Sequence, residues 1–116
     1  KKTLGGEWRQ YEEIFPALNA SRIGQVSLEC ANSHVPMHLM SLLPDKDVLV
    51  GAIDVAMTEV ETPEAVAAVI AEACAHVDPA RIQPCTNCGM APLARDVAAG
   101  KLKALAEGAA LARSRI

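Results

Sequence analysis

Apolar and polar positions change period several times along the chain, and each change marks an element. Leu4-Gly5-Gly6 reads as loop, after which Trp8, Tyr11, Phe15 and Leu18 recur at spacings that place them on one face of a helix. Pro16 removes a backbone donor inside that segment, so a kink or an early end is expected near Phe15. From Gly24 the period falls to two: Gln25-Val26-Ser27-Leu28-Glu29-Cys30 alternates polar and apolar residues, as a strand does. Ala31 to Pro36 reads as loop, Met37 to Leu43 as a short apolar helix, and Pro44 to Asp47 as a turn. Val48 to Val55 is nearly continuous apolar sequence rich in branched residues, the pattern of a strand buried on both faces, with its one charge, Asp54, near the C-terminal end. Thr62-Pro63-Glu64 supplies an N-cap, a first-turn proline and a first-turn acid, and Val66, Val69, Ile70, Ala73, Cys74 and Val77 follow at helical spacing. Asp78-Pro79 ends that helix, Ile82 to Cys85 forms a strand, and Leu93 to Arg113 forms a last helix. The apolar stripe of this last helix includes Val97, Leu102, Leu105 and Ala109, while Gly100 and Gly108 weaken it.

Helices and strands therefore alternate, which implies an α/β fold of parallel strands joined by right-handed crossovers. No linker and no repeat divides the 116 residues, so residues 1–116 read as one domain or a piece of one. Hydrophobic residues make up 51% of the chain and aromatics only 3%, so the core must be built from Ala, Val, Leu and Ile. A net charge of -3, with basic residues scattered except at Lys1, Lys2 and the Arg113 to Arg115 tail, argues against a nucleic-acid surface. No apolar run is long enough for a bilayer, and the first residues lack the apolar centre of a signal peptide. The expected compartment is the cytoplasm, where four Cys are free thiols or metal ligands more often than disulfides.

Candidate chemistry gathers between Arg81 and Pro92. Cys85 and Cys88 stand where a strand end opens towards a helix, the place where parallel α/β sheets carry ligands, and Gly89 lets the backbone turn or approach a ligand. Cys-x-x-Cys before a helix is also the layout of thiol-disulfide oxidoreductases, which is one reading of this pair. Glu29, a charge closing the strand after Val26 and Leu28, points to a functional mouth rather than a packed layer. Cys74 reads as helix packing, and Cys30 alternates away from Glu29 and is expected to be buried. His34 and His38, separated by Pro36, are further candidate ligands, as is Cys85; His76 reads as a helix-terminal charge or a solvent contact.

Three motifs then carry a resemblance: Val26-Ser-Leu-Glu-Cys-Ala-Asn, Val50-Gly-Ala-Ile-Asp-Val followed by Val60-Glu-Thr-Pro-Glu, and Asn87-Cys-Gly. In this order the chain resembles the C-terminal part of the catalytic barrel of cobalamin-independent methionine synthases and related thiol alkyltransferases. The resemblance implies parallel β/α units forming the C-terminal part of a TIM (β/α)8 barrel, with a zinc ion that activates a substrate thiol for methyl or alkyl transfer. It implies Glu29 and Cys88 as zinc ligands, beside a His-x-Cys expected ahead of the first helix. It implies Asp54 as the catalytic and substrate-binding residue that holds the amino group of homocysteine; the family's His two residues later is replaced by Ala56. The implied partners are a small-molecule thiol and a methyl donor. A complete barrel needs about 250 residues and eight strands, and three are counted here. Self-association or a preceding barrel segment is therefore expected, and a truncated, non-catalytic interaction module is the other alternative.

Overall fold

Strands β1 (Gln25–Glu29), β2 (Asp47–Ile53) and β3 (Ile82–Thr86) form one parallel sheet in the order β1-β2-β3. The structure, a computed structural model, describes residues 8–33 and 35–116. The Leu4 to Gly6 loop, His34 and the side chain of Trp8 lie outside the described residues. Helix α1 (Trp8–Ala20) leads into β1, a 3-10 helix (Met37–Leu42) joins β1 to β2, α2 (Pro63–Cys74) joins β2 to β3, and α3 (Arg95–Ser114) follows β3. Each strand thus returns through helical sequence before the next begins, as parallel pairing requires.

Local chemistry accounts for most boundaries. Thr62 Oγ1 accepts a hydrogen bond from the Ala65 amide at 3.1 Å, and Pro63 occupies the first turn, where its missing donor costs nothing. Helix α2 stops at Cys74, earlier than the Asp78-Pro79 signal suggests, because Asp78 caps a separate 3-10 turn (Pro79–Arg81), accepting from the Ala80 amide at 2.9 Å. Of the two outcomes expected at Pro16, a kink or an early end, the early end does not occur: α1 continues through Pro16 to Ala20. The residues around the proline hold it in place: Phe15 is buried, stacked on the Tyr11 ring at 5.6 Å, and Leu18 packs on the same core. The expected helix after Pro36 is two short 3-10 turns, with Leu43 buried just beyond them.

The apolar stripe of α3 matches the expected one in part. Leu105 and Ala109 pack partly buried against the core, whereas Leu102 is 50% exposed and the fully buried positions are Lys101, Ala104, Gly108 and Ala112. Gly108 is a packing requirement rather than a weakness, since a Cβ there would fall on the Val66 side chain of α2 and within 3.0 Å of the Pro63 carbonyl oxygen. Without that glycine α2 and α3 could not approach as they do.

All the helical segments pack on one side of the sheet. Val48, Val50 and Ala52 of β2 are buried there against Phe15, Met40, Leu43, Ala73 and the α2–α3 pair. A register irregularity between Gly51 and Ile53 puts Ile53 on this side as well. The opposite side carries Gln25, Ser27, Glu29, Leu49, Gln83 and Cys85, and Leu49 is only half-buried, so β2 is not covered on both faces by the described residues. Side chains on this open side cross over β2. Gln25 Nε2 donates to Gln83 Oε1 at 3.2 Å, and Asn87 reaches the backbone of Ala31.

Candidate functional site

The three residues singled out from the sequence stand at the C-terminal ends of the three parallel strands, on one edge of the sheet. Glu29 is the last residue of β1, in register with Gly51 and, through it, with Cys85. Asp54 follows β2 directly, and Cys88 stands just past the end of β3.

Asn87 ties these ends together. Its amide Nδ2 donates to the Ala31 carbonyl at 2.8 Å, its Oδ1 accepts from the Ala31 amide at 3.4 Å, and its own backbone N–H donates to the Ile53 carbonyl at 2.9 Å. One residue beside Cys88 therefore bonds the segment after β1 and the end of β2. This bridge passes directly over Gly51, where a Cβ would collide with Asn87 and lie 2.9 Å from the Leu28 carbonyl oxygen. Glycine is the residue that allows such an approach. Gly89, by contrast, has no positive φ and open space around it, so the turn after Cys88 makes no special demand on it. Thr86 Oγ1 donates to the Cys88 carbonyl at 2.9 Å and closes that turn.

Asp54 is held by its neighbours. Its Oδ1 accepts from the Ala56 amide at 2.9 Å and its Oδ2 from Asn32 Nδ2 at 3.1 Å, with Asn32 in the left-handed region at φ 55. The Ala56 amide, then the Asn32 amide, and to a lesser degree the Lys101 charge, keep its carboxyl below the usual aspartate range. The Asp54 backbone N–H donates to Glu61 Oε2 at 2.9 Å, and Lys101 Nζ lies 3.0 Å from Glu61 Oε1. Lys101, Glu61 and Asn87 escape a reading of the sequence alone. A lysine counts as a polar position in any periodicity, and only the isolated glycine inside β2 signals a close backbone approach.

Glu29 and Cys88 are exposed, and among the described residues no hydrogen bond or ion pair engages either side chain. A carboxylate oxygen and a thiolate sulfur both suit zinc, and a pair left uncommitted at one strand edge fits two positions of a four-coordinate site. Among the described residues no three His, Cys, Asp or Glu side chains form a group able to hold a metal. His38 is exposed on the 3-10 helix, and His76 follows α2 in a half-buried position. Cys30 packs against the core, where burial pushes its thiol up to about 11. Burial also raises the thiols of Cys74 and, against a smaller opposing effect from Ser27, Cys85. Cys85 lies within β3, and α3 begins only at Arg95, so neither thiol of the pair sits at a helix N-terminus.

No described helix is long and apolar enough to cross a membrane. No protein-family model and no curated protein matches the chain. Among solved structures it is similar to a B12-independent methionine synthase from Shewanella sp. W3-18-1, determined in complex with selenomethionine, with a TM-score of 0.91. The match covers 97% of this chain and 33% of the solved one, so the chain spans about a third of that relative's length. At 55% identity over nearly all its residues, the chain belongs to the cobalamin-independent methionine synthase family.

Proposed function

We propose that residues 1–116 form one partial domain, the C-terminal part of a zinc-dependent (β/α)8 barrel that transfers a methyl or alkyl group to a small-molecule thiol in the cytoplasm. The observation that carries this reading is the pair Glu29 and Cys88, two metal donors at the same end of the sheet that no side-chain hydrogen bond or ion pair engages among the described residues, with the segments beside them tied through Asn87 and Ala31. Glu29 and Cys88 would hold the zinc, together with donors from a preceding or associated segment. Bound there, zinc supplies the Lewis acidity that keeps an incoming thiol ionised near neutral pH. The uncovered side of the sheet and its two edges are the surfaces that barrel closure would cover.

Asp54 has a role that needs no metal. Its depressed pKa keeps the carboxylate charged, and such a group suits the ammonium of an amino-acid thiol such as homocysteine. That the Shewanella relative was solved with selenomethionine, an amino acid of the same skeleton, supports this choice of acceptor. Ala56 provides no proton-carrying side chain beside Asp54, so the methyl donor cannot draw a proton from that position.

The redox alternative is weaker on physical grounds. A reactive dithiol needs a lowered pKa, whereas burial raises that of Cys85. Cys88→Ser and Cys85→Ser in the natural full-length protein separate the readings through zinc content and thiol alkylation. Cys88→Ser is expected to lose both and Cys85→Ser to keep both. Equal loss of activity with unchanged zinc would refute the transferase assignment.

A further inference from the structure

We propose that Asn87 is a positioning residue for the candidate metal edge, one that sets the spacing at which Glu29 and Cys88 present their donors; the inference rests on the zinc reading above. Those two residues belong to the ends of β1 and β3, and β2 stands between these strands. Ladder bonds therefore hold each end to β2 and not to the other. On one side the Cys30 and Ala31 amides both donate to the Gly51 carbonyl, at 3.1 and 2.8 Å. On the other the Asn87 backbone N–H donates to the Ile53 carbonyl at 2.9 Å. The Asn87 side chain then joins the two outer ends directly, with Nδ2 donating to the Ala31 carbonyl at 2.8 Å and Oδ1 accepting from the Ala31 N–H at 3.4 Å.

The form of that contact is what a spacer needs. The Ala31 N–H is a single donor and already has the shorter bond to the Gly51 carbonyl, so Asn87 Oδ1 is not required to satisfy it. What two bonds from one planar amide add is orientation, since the segment after β1 can neither slide nor turn against the residue before Cys88 without breaking one of them. At the far end of the sheet β1 and β3 are joined by Gln25 and Gln83, an exposed contact between two longer side chains that holds neither backbone. Thr86 Oγ1 fixes the Cys88 carbonyl at 2.9 Å, so the chain is held on both sides of the Cys88 Cα while its thiol stays exposed. Zinc bonds of about 2.0–2.3 Å leave little slack between donors on separate strands, and an edge already held at its spacing loses no binding energy in closing on the ion.

Asn87→Ala removes both side-chain bonds and keeps the backbone bond to Ile53. Asn87→Leu removes them with little change of volume and guards against an effect of the space left behind. Gly108→Ala, which strains the α2–α3 contact away from this edge, is the control for lost stability alone. Two measurements on the natural full-length protein decide: the zinc dissociation constant, by competition with a chromophoric chelator, and the visible spectrum of cobalt(II) bound in place of zinc, whose thiolate charge-transfer and ligand-field bands report the donor arrangement.

Both Asn87 variants are expected to bind zinc about 10–100-fold more weakly, the usual effect of losing a residue that orients metal ligands, and to shift the cobalt bands at saturating metal. Gly108→Ala is expected to lower the unfolding midpoint and leave the zinc constant and the cobalt bands unchanged, and Cys88→Ser to lose tight binding. Unchanged zinc affinity and cobalt bands in both Asn87 variants, with binding lost in Cys88→Ser, would overturn the role of Asn87 and leave the zinc reading standing. Equal weakening in Gly108→Ala would likewise overturn it, since the effect would then follow stability. Tight binding that survives Cys88→Ser would overturn both.

Discussion

At the scale of single residues, the candidate site depends on an atom that is missing. Gly51→Ala would drive a Cβ into Asn87 and towards the Leu28 carbonyl oxygen, in a place where neither backbone has room to yield. The expected cost is about 1–3 kcal/mol, typical of an overpacked interior, read from urea unfolding. Because the displaced Asn87 adjoins Cys88, zinc content of the full-length protein should fall as well. Asn32→Gly tests the charge on Asp54. Glycine tolerates the φ of 55 at this position, so the amide bond to Oδ2 is removed together with only a weak 3.9 Å contact to Met57 Sδ. The Asp54 pKa should rise towards the ordinary aspartate value without reaching it, since the stronger Ala56 contact remains. A group whose folded pKa is depressed stabilises the fold above its unfolded pKa, and that contribution disappears as pH falls through the folded value. In Asn32→Gly the contribution is therefore smaller and vanishes at a higher pH, and NMR titration of the Asp54 carboxyl carbon gives both the shift and its sign.

At the scale of elements, α3 shows where pattern and packing part. By helix propensity Gly108→Ala should gain roughly 1 kcal/mol; by packing it should lose more, because its Cβ would overlap Val66 and crowd Pro63. A lowered unfolding midpoint is expected, and a raised one would mean that α2 and α3 can separate without loss. The same helix explains what could be read in advance. The strands and α2 were legible because Val, Ile and Leu mark their buried positions directly and the Thr62 cap advertises a helix start. The core-facing side of α3 was legible only in part: Leu105 and Ala109 pack on the core as expected, but its fully buried positions are Lys101, Ala104, Gly108 and Ala112, residue types that do not announce burial. At Pro16 the early end did not occur, because a sequence shows the lost donor but not the Phe15 packing that holds the helix together. Within the site, Glu29, Asp54 and Cys88 stood out as strand-end chemistry, whereas the Asn87 tie and the Lys101–Glu61 pair depend on contacts between residues far apart in sequence.

At the scale of the whole molecule, one side of the sheet lies under helices and the other is open, and parallel sheets are ordinarily covered on both. Ile14, Ile23 and Leu102 are about half exposed and Ile116 is 75% exposed. The 116-residue chain expressed by itself should therefore self-associate or unfold with low cooperativity. Sedimentation velocity combined with a thermal melt checks this, and a stable monomer with a sharp, high-temperature transition would contradict it. The bridge from Asn87 to Ala31 also has a consequence for descent. Since the tie exists only while position 51 lacks a Cβ, a lineage that gains a side chain there should already have lost the amide at position 87, or lose it soon after. The two positions should drift as a pair, and aligned relatives that keep Asn at 87 while carrying a larger residue at 51 would show that the strand ends can be joined in some other way.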